Sequence, residues 1–149
     1  MEAYVIATAC TKFEKKADQT FKNLTEEVYC DLLKSAKVEN GNMIGQAWFG
    51  NCGMGTFGQN NIRGQVCFTP LVQKKLFPER VGIINVEGGC ATGSMAFHGA
   101  WKDVISGTED VSLAIGVEKI YQPNQPEKIQ EIYDGGIDQF DKNEWLEFY

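Results

Sequence analysis

Histidine is nearly absent from this chain of 149 residues, which has His98 alone, and no two of its cysteines form a C-x-x-C pair. Zinc sites built from Cys and His need several such ligands at short spacing, so a structural zinc centre is not expected. Basic residues are also scarce: 14 Lys and Arg against 20 Asp and Glu give a net charge of −6. Neutralising phosphates needs clustered cations, which excludes nucleic acid and anionic membrane surfaces as expected partners. No apolar run approaches the roughly 20 residues that span a bilayer. The start, Met1-Glu2-Ala3-Tyr4, lacks a basic stretch followed by an apolar one, so no leader is expected and the chain reads as cytoplasmic.

What is present is an alternation of short apolar runs and helical stripes. Tyr4–Ala9 has no helical spacing and reads as a strand covered on both faces. A helix follows, with Asn23 as cap, Glu26 three residues on, and Leu24, Val28, Leu32 and Ala36 along one stripe. Asn40-Gly41-Asn42 ends it. Ile44–Phe49 reads as a second strand, followed by a glycine-rich loop from Gly50 to Gly58. A helix is expected within residues 61–76, bounded or interrupted by Pro70. Val81–Val86 is a third strand, and Gly88-Gly89 turns the chain into a helix starting near Cys90. Gly93, Ala96 and Gly99 would form a ridge of small residues there. Val111–Val117 is a fourth strand. This order predicts an α/β fold with a mainly parallel sheet and helices on both faces. Beyond Glu118 the composition turns polar, with Pro123, Pro126, Gly135 and Gly136, and only the last residues look ready to begin another helix.

Five widely separated cysteines, Cys10, Cys30, Cys52, Cys67 and Cys90, suit a reducing compartment, where such residues are mostly buried hydrophobes. Cys90 stands apart because it falls where a buried strand meets a helix. Unpaired amides and the positive end of the helix dipole there favour a thiolate, and two glycines leave room for a substrate. Cys52 has nothing nearby to lower its pKa and reads as structural. His98, eight residues after Cys90, lies about 12 Å further along a straight helix. It is therefore expected to pack or to be partly exposed rather than to act as a base. Met54 and Phe57 are candidates either for the core or for the border of an acyl pocket. Asp138, Asp141, Glu144 and Glu147 read as a solvated acidic face rather than a metal site.

The stretch Asn85-Val86-Glu87-Gly88-Gly89-Cys90-Ala91-Thr92-Gly93-Ser94 strongly resembles the nucleophile motif of thiolases. Tyr4–Thr11 resembles the first strand of the sterol-carrier-protein-type branch, and Gly116-Val117-Glu118-Lys119 its motif after the fourth strand. Degradative and biosynthetic thiolases usually carry Asn where this chain has Glu87, which also points to that branch. The resemblance implies a thiolase-like amino-terminal half-domain, partial over residues 1–120, with residues 121–149 opening an inserted loop region. The last strand of that sheet would follow the insertion. It further implies that Cys90 is acylated by a 3-ketoacyl-CoA and passes the acyl group to coenzyme A, which is a substrate, with no cofactor held permanently. The family's histidine base and second cysteine belong to the carboxy-terminal half, so this chain alone is expected to be inactive. A homo-oligomer, or a complex with a chain supplying the missing half, is expected. The alternatives are a non-catalytic thiolase-like module that binds a partner or an acyl group, and an acyl-CoA lyase of the same fold.

Overall fold

A computed structural model describes residues 2–148. Three short strands, β1 (Gln46–Gly50), β2 (Gly82–Val86) and β3 (Ser112–Gly116), form one sheet in the order β2-β1-β3, parallel throughout. Five helices accompany it: α1 (Phe21–Ala36), α2 (Arg63–Gln73), α3 (Thr92–Ser106), α4 (Lys128–Asp134) and α5 (Lys142–Phe148). Parallel strands require crossovers, and the helices that make them cover the sheet.

Alternation along β1 sorts the layers. Phe49 points to α2, where a side chain in place of Gly64 would collide with its ring, and its own ring meets Phe68 at 6.2 Å. Trp48 points the other way, onto Gly99 of α3, and its indole N–H donates to Asp103 at 2.7 Å. The main core lies on the α1/α2 side, where Tyr29, Phe68 and Phe77 join edge to face and Ala47, Leu71, Leu113 and Ile115 fill in around them. The buried Tyr29 hydroxyl donates to the carbonyl of Leu76 at 3.0 Å. Burial raises its pKa far above the ordinary tyrosine value.

The three strands read from Ile44–Phe49, Val81–Val86 and Val111–Val117 are present within a residue or two of those bounds. Tyr4–Ala9 is not a strand: it carries no regular secondary structure, and Tyr4, Val5 and Ile6 are exposed. Its composition suits a strand, but among the described residues it makes no backbone hydrogen bond.

Helix α1 begins three residues earlier than its spacing suggests. Thr20 is the cap: its hydroxyl accepts from the Asn23 amide at 3.2 Å, while the Asn23 side chain accepts from the Thr20 amide at 3.0 Å. The buried face of α1 is Leu24, Thr25, Tyr29 and Leu33, with Val28, Leu32 and Ala36 only half-buried beside it. It ends at Lys37 in the left-handed region, φ 58°. Pro70 sits inside α2 and neither bounds nor interrupts it. Helix α4 arises in the polar stretch where the sequence gives no apolar period, and Ile132 from it packs at Gly53.

Candidate functional site

Because the strands are parallel and adjacent, their carboxyl ends lie in a row, and the loops leaving Gly50, Val86 and Gly116 converge there. Ligands of open α/β sheets bind in this position. Cys90 stands at the centre of the loop after β2, in a 3₁₀ turn over Gly89–Ala91 that runs directly into α3 at Thr92. It is exposed. The helix proper starts two residues after it, so Cys90 occupies the turn that feeds the helix.

Two glycines make this turn for different reasons. Gly89 has φ +56°, a region side chains avoid. Gly88 has Met95 of α3 so close that a Cβ would strike its sulfur. Thr92 then locks the turn, its hydroxyl donating to the Gly89 carbonyl at 2.7 Å and accepting from the Gly88 amide at 2.9 Å. The Thr92 side chain also lies over Gly50, where an added Cβ would come within 3.1 Å of its methyl. In this way the end of β1 and the Cys90 turn are held together.

Glu87 links the turn to the glycine-rich loop. Its carboxylate accepts from the Gly89 amide at 2.7 Å and from the Cys52 thiol at 3.1 Å. The Gly89 amide, then the Cys52 thiol, hold its pKa below the usual carboxylate range, against a smaller opposing effect of burial. Cys52 responds the other way: burial first, and then the Glu87 carboxylate, push its thiol pKa up. Cys52 is thus a protonated donor, consistent with a structural reading.

The loop carrying Cys52 is fastened from β3. Glu118 accepts from the amides of Cys52 at 2.9 Å and Gly53 at 3.0 Å. The Asn51 side chain, buried, donates to the Val117 carbonyl at 2.7 Å and accepts from the Met54 amide at 2.9 Å. Arg63 at the start of α2 donates to the Asn51 carbonyl at 2.8 Å. Asn85, from β2, accepts from the Gly64 amide at 2.6 Å and supplies the cap that Ile62 lacks. Sequence reasoning passed over Asn51, Arg63, Asn85 and Thr92 as functional supports. An Asn directly after a buried strand, and a Thr two residues after the cysteine, were the available signals.

The remaining candidates lie elsewhere. His98 is exposed on α3 and stacked on Trp101, ring centroids 5.4 Å apart. Met54 is buried, its sulfur 4.0 Å from that of Cys67, and Phe57 packs on Phe21 at 6.0 Å, so both belong to the packing. Of the ridge of small residues, Gly99 and Ala96 are closely packed, whereas Gly93 faces open space. Asp138 accepts from the amides of Phe140 and Asp141, and Asp141 from that of Glu144, as turn and helix caps. Among the described residues no group of three His, Cys, Asp or Glu is placed to hold a metal, and no helix is long and apolar enough to cross a membrane.

A glycine turn that leads from the carboxyl end of a parallel strand into a helix places the chain in the α/β class, and comparison with known proteins narrows that class to a family. Residues 3–142 match the family described as thiolase, N-terminal domain. Benzoylsuccinyl-CoA thiolase subunit BbsB of Thauera aromatica is 32% identical over 117 residues, covering 78% of this chain and 28% of that protein. An acetyl-CoA acetyltransferase of Methanocaldococcus jannaschii is 31% identical over 117 residues, with 78% and 28% covered. One of Methanothermobacter thermautotrophicus is 28% identical over 121 residues, with 78% and 29% covered. The chain belongs to the thiolase family, as its amino-terminal domain. It spans 28–29% of the length of these curated relatives.

Proposed function

We propose that this chain is the nucleophile-bearing segment of a thiolase, an acyl-CoA C-acyltransferase acting on 3-ketoacyl-CoA, with Cys90 as the residue acylated. One observation carries the reading: Cys90 is exposed on a glycine turn between β2 and α3, while Cys67 is buried and Cys30 and Cys52 are half-buried. The Cys90 thiolate attacks the 3-keto carbon, and the Cα–Cβ bond breaks with its electron pair on the α-carbon. That carbon takes a proton and leaves as acetyl-CoA. The acyl group stays on Cys90 as a thioester until the thiol of a second coenzyme A attacks it and frees the cysteine. Coenzyme A is thus a substrate, and no cofactor is held permanently.

The family's base and second cysteine would come from the length that the relatives carry beyond the matched segment, so these residues alone would not turn over. Residues 1–120 form the half-domain in this reading and 121–149 open an insertion. The protein works in the cytoplasm, as a homo-oligomer or with a chain that supplies the rest. The sterol-carrier-type branch gains no support from the relatives reported above, so the proposal is made for the family as a whole.

The test is alkylation by iodoacetamide, followed residue by residue by mass spectrometry, with the full-length enzyme assembled. Cys90 should react faster than the other four cysteines, including the exposed Cys10, and acetoacetyl-CoA should protect it. Slow labelling at all five positions would refute acyl transfer and favour the non-catalytic binding module.

A further inference from the structure

Cys90 follows two consecutive glycines, the least rigid backbone a chain can offer. Gly89 occupies the left-handed region at φ +56°, only one of the conformations open to it. Acyl transfer needs its sulfur held in place, since a displacement of about 1 Å can cost about 100-fold in rate. Bonds from outside the two glycines must therefore supply the stiffness.

Thr92 supplies part of it, through the Gly88 amide and the Gly89 carbonyl. The peptide group between the glycines is fixed at its nitrogen by Glu87: the Gly89 amide donates to Glu87 Oε1 at 2.7 Å. Glu87 is itself exposed at the end of an edge strand, and it borders a polar cleft of about 230 Å³ shared with Asn60, Asn61 and Arg63. A carboxylate left to itself there would turn out to water. Cys52 opposes this, its thiol donating to the same Oε1 at 3.1 Å. Cys52 comes from the loop after the central strand and is anchored on its own account. Its amide donates to Glu118 at 2.9 Å, and its carbonyl accepts from Arg63 at 3.4 Å. An ionised carboxylate accepts both bonds at once, and each is stronger than a bond between neutral groups.

We propose that Glu87 is a positioning residue for Cys90 in the acyl transfer, and that Cys52 holds Glu87 to that task. Cys52 orients the carboxylate, the carboxylate fixes the peptide between Gly88 and Gly89, and that peptide sets where the Cys90 sulfur stands. The role rests on the function proposed above. Cys52, which the sequence presents as structural, thereby serves the reaction through its neighbour.

The test is thiolysis of acetoacetyl-CoA by the full-length enzyme, with kcat and KM measured separately. Glu87→Ala should lower kcat about 10- to 100-fold and leave KM within about twofold, because placing the sulfur matters to the reaction and not to holding the substrate. Glu87→Gln keeps an oxygen for the Gly89 amide and should restore kcat to within about threefold of the parent. Cys52→Ala should lower kcat about 3- to 10-fold, and adding it to Glu87→Ala should cost nothing further, since both act through one carboxylate. Iodoacetamide is small and has no fixed approach, so alkylation of Cys90 should change by less than about threefold in each variant, with the buried Cys67 still protected. Labelling of Cys67 along with the loss of kcat would mean general loosening and would overturn the proposal. So would Glu87→Ala with the kcat of the parent, or Glu87→Gln as slow as Glu87→Ala. Additive losses would overturn the part given to Cys52. If Glu87→Ala does not fold, Cys52→Ala decides, and an unchanged kcat there overturns the proposal. An acetyl group trapped on Cys90 of the parent keeps the two readings apart: where it forms, these results strike the positioning role alone, and its absence overturns both.

Discussion

Two glycines of the same helix should respond oppositely to the same substitution. At Gly99 a methyl group would stand 2.5 Å from two carbons of the Trp48 ring and closer still to a third. Ordinary carbon contact is about 3.5–4 Å, so helix and indole must separate by about 1 Å. The ring cannot simply turn aside, because its N–H is fixed to Asp103 at 2.7 Å, and Asp103 also accepts from Ser112 at 2.7 Å. Overpacking of this kind costs about 3 kcal/mol at the upper end of its usual range, and the helical gain of Ala over Gly returns about 1. Gly99→Ala should therefore destabilise by about 2 kcal/mol, a fall in Tm of roughly 4–8 °C for a chain of this size. At Gly93 nothing lies within 4 Å of an added Cβ. Gly93→Ala should stabilise by about 0.4–1 kcal/mol through the unfolded chain. Urea unfolding of the two variants beside the parent measures both. If Gly99→Ala is neutral or stabilising, α3 does not rest on Trp48 as described; if both variants lose stability equally, glycine itself, rather than its surroundings, sets the effect.

Glu87→Gln tests the link between the two loops. Since the Glu87 pKa is lowered on folding, its contribution is complete above the unfolded carboxylate value of about 4.5 and is lost as pH falls through the lower, folded value. Urea midpoints of the parent should drop more steeply than those of the variant below about pH 4.5, and parallel curves would refute the assignment. The same substitution removes the charge that raises the Cys52 pKa, so Cys52 should alkylate a few-fold faster in the variant, while Cys67, held by burial, should not change. Glu118→Ala frees the amides of Cys52 and Gly53, at a cost of about 1 kcal/mol for this exposed carboxylate, and speeds their hydrogen exchange; unchanged exchange at both would show that the loop is held without Glu118.

The sheet was legible from its apolar runs, and the glycine loops after Gly50 and Val86 marked the strand ends, but β2, expected as a buried strand before Cys90, lies at the sheet edge with none of its residues buried. Tyr4–Ala9 has the same composition and no strand, since composition reports what a strand would bury and not whether a partner edge is beside it. The cap of α1 was misplaced for a related reason. Asn23 with Glu26 and Thr20 with Asn23 both have the capping-box spacing, and only the second pair closes the reciprocal bonds. Pro70 was read as a breaker, yet it falls in the closing part of α2, and the helix keeps its course. Helix α4 has no apolar period to read, with none of its residues buried.

Within the site, legibility followed sequence distance. The Cys90 turn is written in ten adjacent residues, so its glycines were read from the sequence, whereas the bonds of Thr92 and Glu87 to the same turn emerge only in the structure. The loop at Cys52 depends on Glu118, 66 residues away, and on Arg63. Nothing in either neighbourhood announces the other. What brings them together is the order β2-β1-β3, which sets the loops after β2 and β3 on either side of the loop after β1. Had β3 joined the sheet beyond β2, Glu118 would face another strand end and Cys52 would lose its anchor. The Cys90 turn, fixed by its own glycines and Thr92, would keep its shape, but Glu87 would then hold a loop that was free to move.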